Sequence, residues 1–117
     1  MALAENFKRC TIEMLLLILL TENDKYGYQL ALELDVRSNG AYQMKESALY
    51  PPLYRVADKG YITTRNALVN GRNRVYYHLE PQGKQYLQEL QSMYDTWLEA
   101  TSQIVQTTLR EATDENT

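Results

Sequence analysis

The residue pair Asn70-Gly71 limits the fold of this chain more than any other short feature of its sequence. Asn-Gly favours the two-residue turn of a β-hairpin, because both residues accept the left-handed backbone that this turn requires. The segments on either side, YITTRNAL from Tyr61 and RVYYHL from Arg74, are rich in β-branched and aromatic residues. Such a composition is typical of strands. The sequence therefore predicts a two-stranded hairpin in the second half of the chain.

Three helical segments are predicted before this hairpin. The first, from about Phe7 to Thr21, is strongly apolar and is followed by a polar turn. The second begins near Gly27 and ends at residues 38–40, Ser-Asn-Gly, where Asn and Gly allow a left-handed C-terminal turn. The third ends at Gly60. Three helices followed by a hairpin is the element order of a winged helix-turn-helix.

The third helix has two adjacent prolines, Pro51 and Pro52, near its start. Prolines are accepted in a first helical turn because the N–H groups there have no partner within the helix. One alternative starts the helix close to Pro51 and makes Tyr50 an extended lead-in residue. The other starts it earlier, with Ser47 as the N-cap. In both alternatives the first turn presents the same outward set: Ser47, Tyr50, Tyr54 and Arg55.

From Pro81 the sequence predicts one long helix that ends near Ala112. Its apolar residues recur at alternating steps of three and four, which is typical of a coiled-coil seam. A helix over residues 82–112 is about 46 Å long, more than a domain of this size can cover by itself. We therefore predict a homodimer whose interface includes five seam residues: Leu87, Leu90, Tyr94, Trp97 and Ile104.

The charge distribution favours an anionic partner although the net charge is −3. Residues 45–74 include six basic and two acidic side chains, a net charge of +4, whereas the rest of the chain carries −7. A basic middle in an acidic chain is typical of a protein with one face that attracts anions. The alternative is that a short window gains this excess of arginine by chance.

Composition excludes several functional classes. The longest apolar run, MLLLILL, is much shorter than the ~20 residues that span a bilayer. The single cysteine, Cys10, fits a reducing compartment, so we expect a cytoplasmic protein without a membrane partner. His78 is the only histidine, which leaves no Cys/His set for a metal. No nucleophile–base set or phosphate-binding glycine loop is recognisable, so we expect neither an enzyme nor a cofactor.

Three segments, in this order, resemble the PadR family of bacterial transcription regulators: YGYQL, SALYPPLYRVADKGYI and RVYYHLEPQGKQYL. The resemblance extends from about Thr11 into the last helix. The chain departs from the family at Pro52, where a small residue is usual, and at Tyr54, where Lys or Arg is common. Glu80 also replaces a Thr cap. The single C-terminal helix is similar to the smaller branch of the family.

The element order and the resemblance together imply an α+β fold that is mainly α. We expect a winged helix-turn-helix DNA-binding domain over residues 1–80, a dimerisation helix over 81–112 and a disordered tail over 113–117. The resemblance implies a dimeric repressor that binds a partly palindromic operator in double-stranded DNA. The residues that would contact the DNA are Tyr28, Lys45, Ser47, Tyr50, Tyr54, Arg55, Arg72 and Arg74.

The resemblance also implies a cavity for a small aromatic or hydrophobic effector, lined by Trp97, Tyr94 and Phe7. Alternatives stay open for several residues. The alternative for Trp97 is that it only anchors the dimer interface. The alternative for Arg72 is that it is only a solvated charge. Tyr50 and Tyr54 also fit side chains that cover the seam between helix and hairpin. A second function, a winged-helix module that binds proteins and not DNA, predicts no salt-dependent binding to a duplex.

Overall fold

The structure, a computed structural model, describes the backbone of residues 2–115 and the side-chain surroundings of residues 8, 9 and 11–110. The fold is α+β and mainly helical, as predicted, with a winged helix-turn-helix followed by a long helix. A short 3-10 helix, Glu46–Leu49, precedes the third helix. The elements are α1 (Ala2–Glu22), β1 (Lys25–Tyr26), α2 (Gly27–Arg37), α3 (Tyr50–Asp58), β2 (Ile62–Val69), β3 (Arg72–Leu79) and α4 (Pro81–Glu115).

The chain forms two compact units, residues 1–87 and 88–117, and the division falls within α4. We expected a boundary between residues 80 and 81, where α4 begins. The helices also extend past the predicted ends, because α1 begins at Ala2 and α4 continues to Glu115. The predicted tail includes residues 116 and 117, which lie outside the described residues, so its disorder stays a prediction.

Leucine side chains form the centre of the first unit. Leu16 and Leu17 of α1, Leu30 of α2 and Leu53 of α3 are fully buried, together with Leu49 of the 3-10 helix. Burial of one leucine stabilises a fold by about 1.5–3 kcal/mol relative to an exposed position. The apolar faces of α2 and α3 therefore lie against α1, which has contacts with both helices.

The predicted hairpin is present, and it belongs to a sheet of three antiparallel strands in the order β1-β3-β2. Val69 pairs with Arg72 across a two-residue turn in which Asn70 and Gly71 have φ angles of 50° and 76°. Both angles lie in the left-handed region that Asn and Gly tolerate best. The sequence did not predict β1, whose two residues pair with Tyr76 and Tyr77.

Both prolines of α3 lie in its first turn, as expected. The α-helix begins at Tyr50, and Ser47 lies inside the 3-10 helix and is not an N-cap. Tyr50 has a helical backbone, with φ −62° and ψ −46°, so the alternative that made it an extended lead-in residue is wrong. The 3-10 helix leads directly into α3, and Leu49 at their junction is fully buried. This burial outweighs the preference of a residue before proline for extended geometry.

Gly83 allows the first turns of α4 to approach the sheet closely. A Cβ atom at this position would lie 2.1 Å from the carbonyl oxygen of Tyr61 and 2.6 Å from Leu79 Cδ1. Helix propensity alone favours alanine by about 1 kcal/mol, so close packing explains the glycine. The ring of Tyr61 also stacks on Tyr86 with centroids 4.3 Å apart.

No helix in the described part of the chain is long and apolar enough to cross a membrane.

A charged cluster joins the end of α1, β1 and α2. Lys25 is only 3% exposed, and its Nζ donates to Glu22 Oε1 and Glu33 Oε1 at 2.8 Å each. Arg37 donates to the same two carboxylates. A buried ammonium group needs such partners, because an unpaired charge in the interior is strongly destabilising. The hydrogen bonds from Arg37 and then Lys25 lower the pKa of Glu22 from 4.5 to about 2.

We predict that acid weakens this cluster between about pH 4.5 and pH 2. Because the folded-state pKa of Glu22 is depressed, its contribution to stability is complete above 4.5 and is lost as the pH falls towards 2. Urea unfolding should show the wild type more stable than Glu22→Gln at pH 7, with the difference shrinking at pH 3. Glu89→Gln, at an exposed position of α4, is the control. A difference that does not change with pH would contradict the prediction.

Candidate nucleic-acid interface

The outer face of α3 consists of Pro51, Tyr54, Arg55 and the acidic Asp58, which are exposed, and the inner face is buried. The inner face includes Leu53 and Val56, which fix the rotation of the helix about its axis. Ser47, in the preceding 3-10 helix, is also exposed. The sequence prediction that the start of this helix presents polar and aromatic side chains outward is therefore consistent with the burial pattern.

A groove of about 570 Å³ runs between α3 and the β2–β3 hairpin. One wall is formed by α3, and the other by the hairpin strands. Tyrosine rings, an arginine and small polar groups line it, so it offers hydrogen-bond donors beside aromatic surface. Its lining residues are Tyr26, Gly27, Glu46, Tyr50, Tyr54, Ala57, Thr64, Asn73, Arg74, Val75 and Tyr77.

Glu46 orders the α3 wall of the groove. The hydroxyl of Tyr50 donates to Glu46 Oε1 at 3.0 Å, which raises the pKa of that tyrosine. Glu46 in turn lies over Gly27, where a Cβ atom would be 2.8 Å from the same oxygen. Gly27 therefore leaves the space that Glu46 occupies. The sequence prediction missed Glu46, although its position four residues before Tyr50 is a spacing at which helical side chains meet.

Tyr50 and Tyr54 form a stacked pair along α3. Their ring centroids are 6.0 Å apart and the ring planes are inclined by 13°. The stack restricts both rings, which lowers the entropy that Tyr54 would lose on binding a partner. Tyr54 is nevertheless 63% exposed, so its ring remains available to one.

The hairpin wall is held by arginine–tyrosine contacts. The guanidinium of Arg74 lies over the ring of Tyr26 at 4.3 Å, and that of Arg65 over Tyr76 at 4.6 Å. The two tyrosines meet edge to face, with centroids 5.5 Å apart. These cation–π contacts keep the Arg74 charge at the groove without neutralising it. Arg65 and Tyr76 are cross-strand partners, which the hairpin register could have predicted.

A second contact ties the hairpin to the turn between α1 and β1. Asp24 Oδ1 lies 2.6 Å from His78 Nδ1, and Asp24 Oδ2 accepts from Arg65 Nε at 3.3 Å. The hydrogen bond with His78, assisted by Arg65, holds the pKa of the Asp24 carboxyl below its usual value. The hairpin is therefore anchored at its base by a charged contact, and its turn is free to meet a partner.

The cationic residues that we expected at the DNA differ in their surroundings. Arg72 and Lys45 are exposed, and neither pairs with a residue that the structure describes. Arg55 Nε instead donates to Glu13 Oε1 of α1 at 3.0 Å, so this charge is already paired. Tyr28, at the start of α2, is exposed and lines a shallow groove with Lys45.

The second unit exposes an apolar stripe along α4. Trp97 is 64% exposed, and Tyr94 and Ile104 are also exposed, whereas Leu90 is half-buried. Leu87 is only 5% exposed within its own chain, so it offers little surface to a second copy. The side chain of Phe7 lies outside the described residues. The exposed stripe comprises Met93, Tyr94, Trp97, Leu98, Ile104, Val105 and Leu109.

The described residues hold no group of three or more His, Cys, Asp or Glu side chains that could bind a metal ion. The surface of α3 and the hairpin offers hydrogen-bond donors, cations and aromatic rings. Such surfaces bind phosphate groups and stack on or pack against bases.

Comparison with known proteins places the chain in a family. The pattern of the PadR-like family of transcriptional regulators matches residues 15–89. An uncharacterised protein of Lysinibacillus sphaericus is 36% identical over 80 residues, covering 68% of this chain and 73% of that protein. A transcriptional regulator of Mycobacterium tuberculosis is 30% identical over 83 residues, covering 71% and 75%.

Solved structures agree with this result. A transcriptional regulator from Clostridium thermocellum superposes with a TM-score of 0.79 at 25% identity, covering 86% of this chain and 98% of that chain. Bacillus subtilis PadR in complex with operator DNA superposes with a TM-score of 0.62 at 26% identity, covering 68% and 46%. Since the family pattern spans more than half of the sequence, this chain belongs to the PadR-like family, whose members are transcriptional regulators and not enzymes.

Proposed function

We propose that this regulator binds double-stranded DNA with the outer face of α3 and the β2–β3 hairpin. The observation that carries the proposal is the groove between these two elements, with the Tyr50–Tyr54 stack on one wall and Arg74 on the other. The structural similarity to Bacillus subtilis PadR, which was solved with operator DNA, supports it. A recognition helix in the major groove next to a hairpin on the backbone is the usual arrangement of such folds.

The proposed DNA contacts divide into two kinds. Arg72 and Arg74 on the hairpin, with Lys45 before the 3-10 helix, would neutralise phosphates and set the affinity. Ser47 and Tyr54 would reach base edges or backbone oxygens from α3. Tyr50 and Arg55, which we also expected at the DNA, already have partners within the protein. The Tyr50 hydroxyl donates to Glu46, and Arg55 would have to break its ion pair with Glu13 before it could bind the DNA.

We further infer that two copies pair through α4. Residues 88–115 form a helix of about 42 Å at 1.5 Å per residue, and a stripe along it is apolar and exposed. Exposed tryptophan, isoleucine and leucine in such a row favour burial against another chain. A two-fold dimer would present two α3 helices to half-sites about 34 Å apart, hence a partly palindromic operator. Repression is the simplest consequence, because occupation of an operator suffices to block a promoter.

Trp97 also supports a proposal about an effector. In a two-fold dimer its exposed indole, with Tyr94 on the same helix, would offer flat surfaces between which a small aromatic or hydrophobic molecule could stack. The alternative is that Trp97 is an interface anchor only, in which case added aromatic compounds leave its fluorescence unchanged.

One prediction from the proposed function concerns the hairpin arginines. Fluorescence anisotropy with a labelled duplex from upstream of the gene should show log affinity falling linearly with log salt concentration. Arg72→Ala and Arg74→Ala should each reduce the magnitude of that slope by about one, since each removes one phosphate contact. Arg110→Ala removes an equal charge from an exposed position of α4 and is the matched control.

Equal slopes in the wild type and in both hairpin variants would contradict the proposed contacts. A wild type that binds neither the upstream duplex nor a scrambled one at low salt would favour the protein-interaction module. Circular dichroism of Arg74→Ala separates lost charge from lost folding, because Arg74 also packs on Tyr26.

Another prediction from the proposed function concerns α4. Sedimentation at micromolar concentration should give a dimer for the wild type and a shift towards monomer for Ile104→Glu, since a buried carboxylate opposes association. Gln103→Glu, an exposed neighbour with the same added charge, should remain a dimer. A wild type that is monomeric throughout, or an Ile104→Glu protein that stays dimeric, would contradict this interface.

A flat aromatic compound should quench Trp97 fluorescence only in dimeric protein.

A further inference from the structure

The side chains at the start of α3 lack the groups that proteins most often use to recognise purines. Residues 46–54, ESALYPPLY, include no Lys, Arg, Asn or Gln. Bidentate recognition of guanine requires Arg or Lys, and bidentate recognition of adenine requires Asn or Gln. The 3-10 helix and the first turns of α3 therefore cannot make either of these contacts.

The nearest guanidinium on the helix does not replace them. Arg55 Nε donates to Glu13 Oε1 at 3.0 Å, which turns its side chain towards α1. The Tyr50 hydroxyl is likewise committed, because it donates to Glu46. Within residues 46–54, the polar side-chain groups left free are the hydroxyls of Ser47 and Tyr54, and a hydroxyl can donate to or accept from any base.

Residues 46–54 also expose apolar groups. Ala48, Pro51 and Tyr54 are exposed and present a methyl group, a pyrrolidine ring and an aromatic ring edge. Stacking on Tyr50 holds the Tyr54 ring in place. In the major groove, the base feature that pairs with apolar side chains is the C5-methyl group of thymine.

We propose that α3 recognises its half-site chiefly through thymine methyl groups, with Ala48, Pro51 and Tyr54 as the contacting residues. This inference rests on the proposed function, since it assumes that α3 enters the major groove. It assigns base selection to α3, and it leaves affinity and salt dependence to the cations of the hairpin and Lys45.

The test uses a duplex selected by the full-length protein from a random pool. Replacing each half-site thymine by deoxyuridine removes only the methyl group and leaves base pairing intact. Burial of one methyl group contributes enough that affinity should fall about fourfold for each contacted thymine. Deoxyuridine placed outside the half-sites should leave the affinity unchanged and serves as the control.

Variants at Tyr54 assign the effect to the helix. Tyr54→Phe retains the ring and should keep the preference for thymine over deoxyuridine, whereas Tyr54→Ala should reduce it. Tyr54 is largely exposed, so both variants should fold, which circular dichroism checks. Equal affinity of the wild type for thymine and deoxyuridine half-sites, with salt-dependent specific binding intact, would overturn this inference and leave the proposed function standing. Failure to select any duplex would overturn both.

Discussion

Burial of the inner face of α3 against the leucine core of the first unit is the constraint on which the proposed interface depends. Leu49 and Leu53 are fully buried and Val56 nearly so, which fixes both the position and the rotation of the helix. The adjacent prolines are compatible with this helix because they lie in its first turn, where the backbone N–H groups have no partner within the helix. The outer face is thereby presented on a rigid support, and a binding surface works best on one.

The hairpin is positioned by contacts of a different kind. Its base is tied to the α1–β1 turn through Asp24, and tyrosine rings pack against Arg65 and Arg74. Buried Lys25 of β1 pairs with Glu22 at the end of α1 and with Glu33 of α2. Aromatic and ionic contacts thus fix the hairpin and β1 to the turn after α1, beside the groove that a DNA strand would occupy.

Local signals explain what the sequence could predict. Asn70-Gly71 predicted the hairpin correctly, and proline and glycine positions predicted the limits of α3 to within a few residues. Contacts between distant residues gave no such signal: β1 is only two residues long, Arg74 packs on Tyr26, and Arg55 pairs with Glu13. The sequence therefore predicted the elements that carry these side chains but not their pairing, and their contacts with DNA stay a prediction.

The account depends most on the claim that α3 and the hairpin meet the DNA. Amide chemical-shift mapping of the full-length protein, titrated with its selected duplex, tests this claim directly. We predict the largest changes at Ser47, Tyr54 and Arg72, with small changes at Val36, which lies on the exposed side of α2. Changes confined to α2 or α4, with α3 and the hairpin unaffected, would contradict the account.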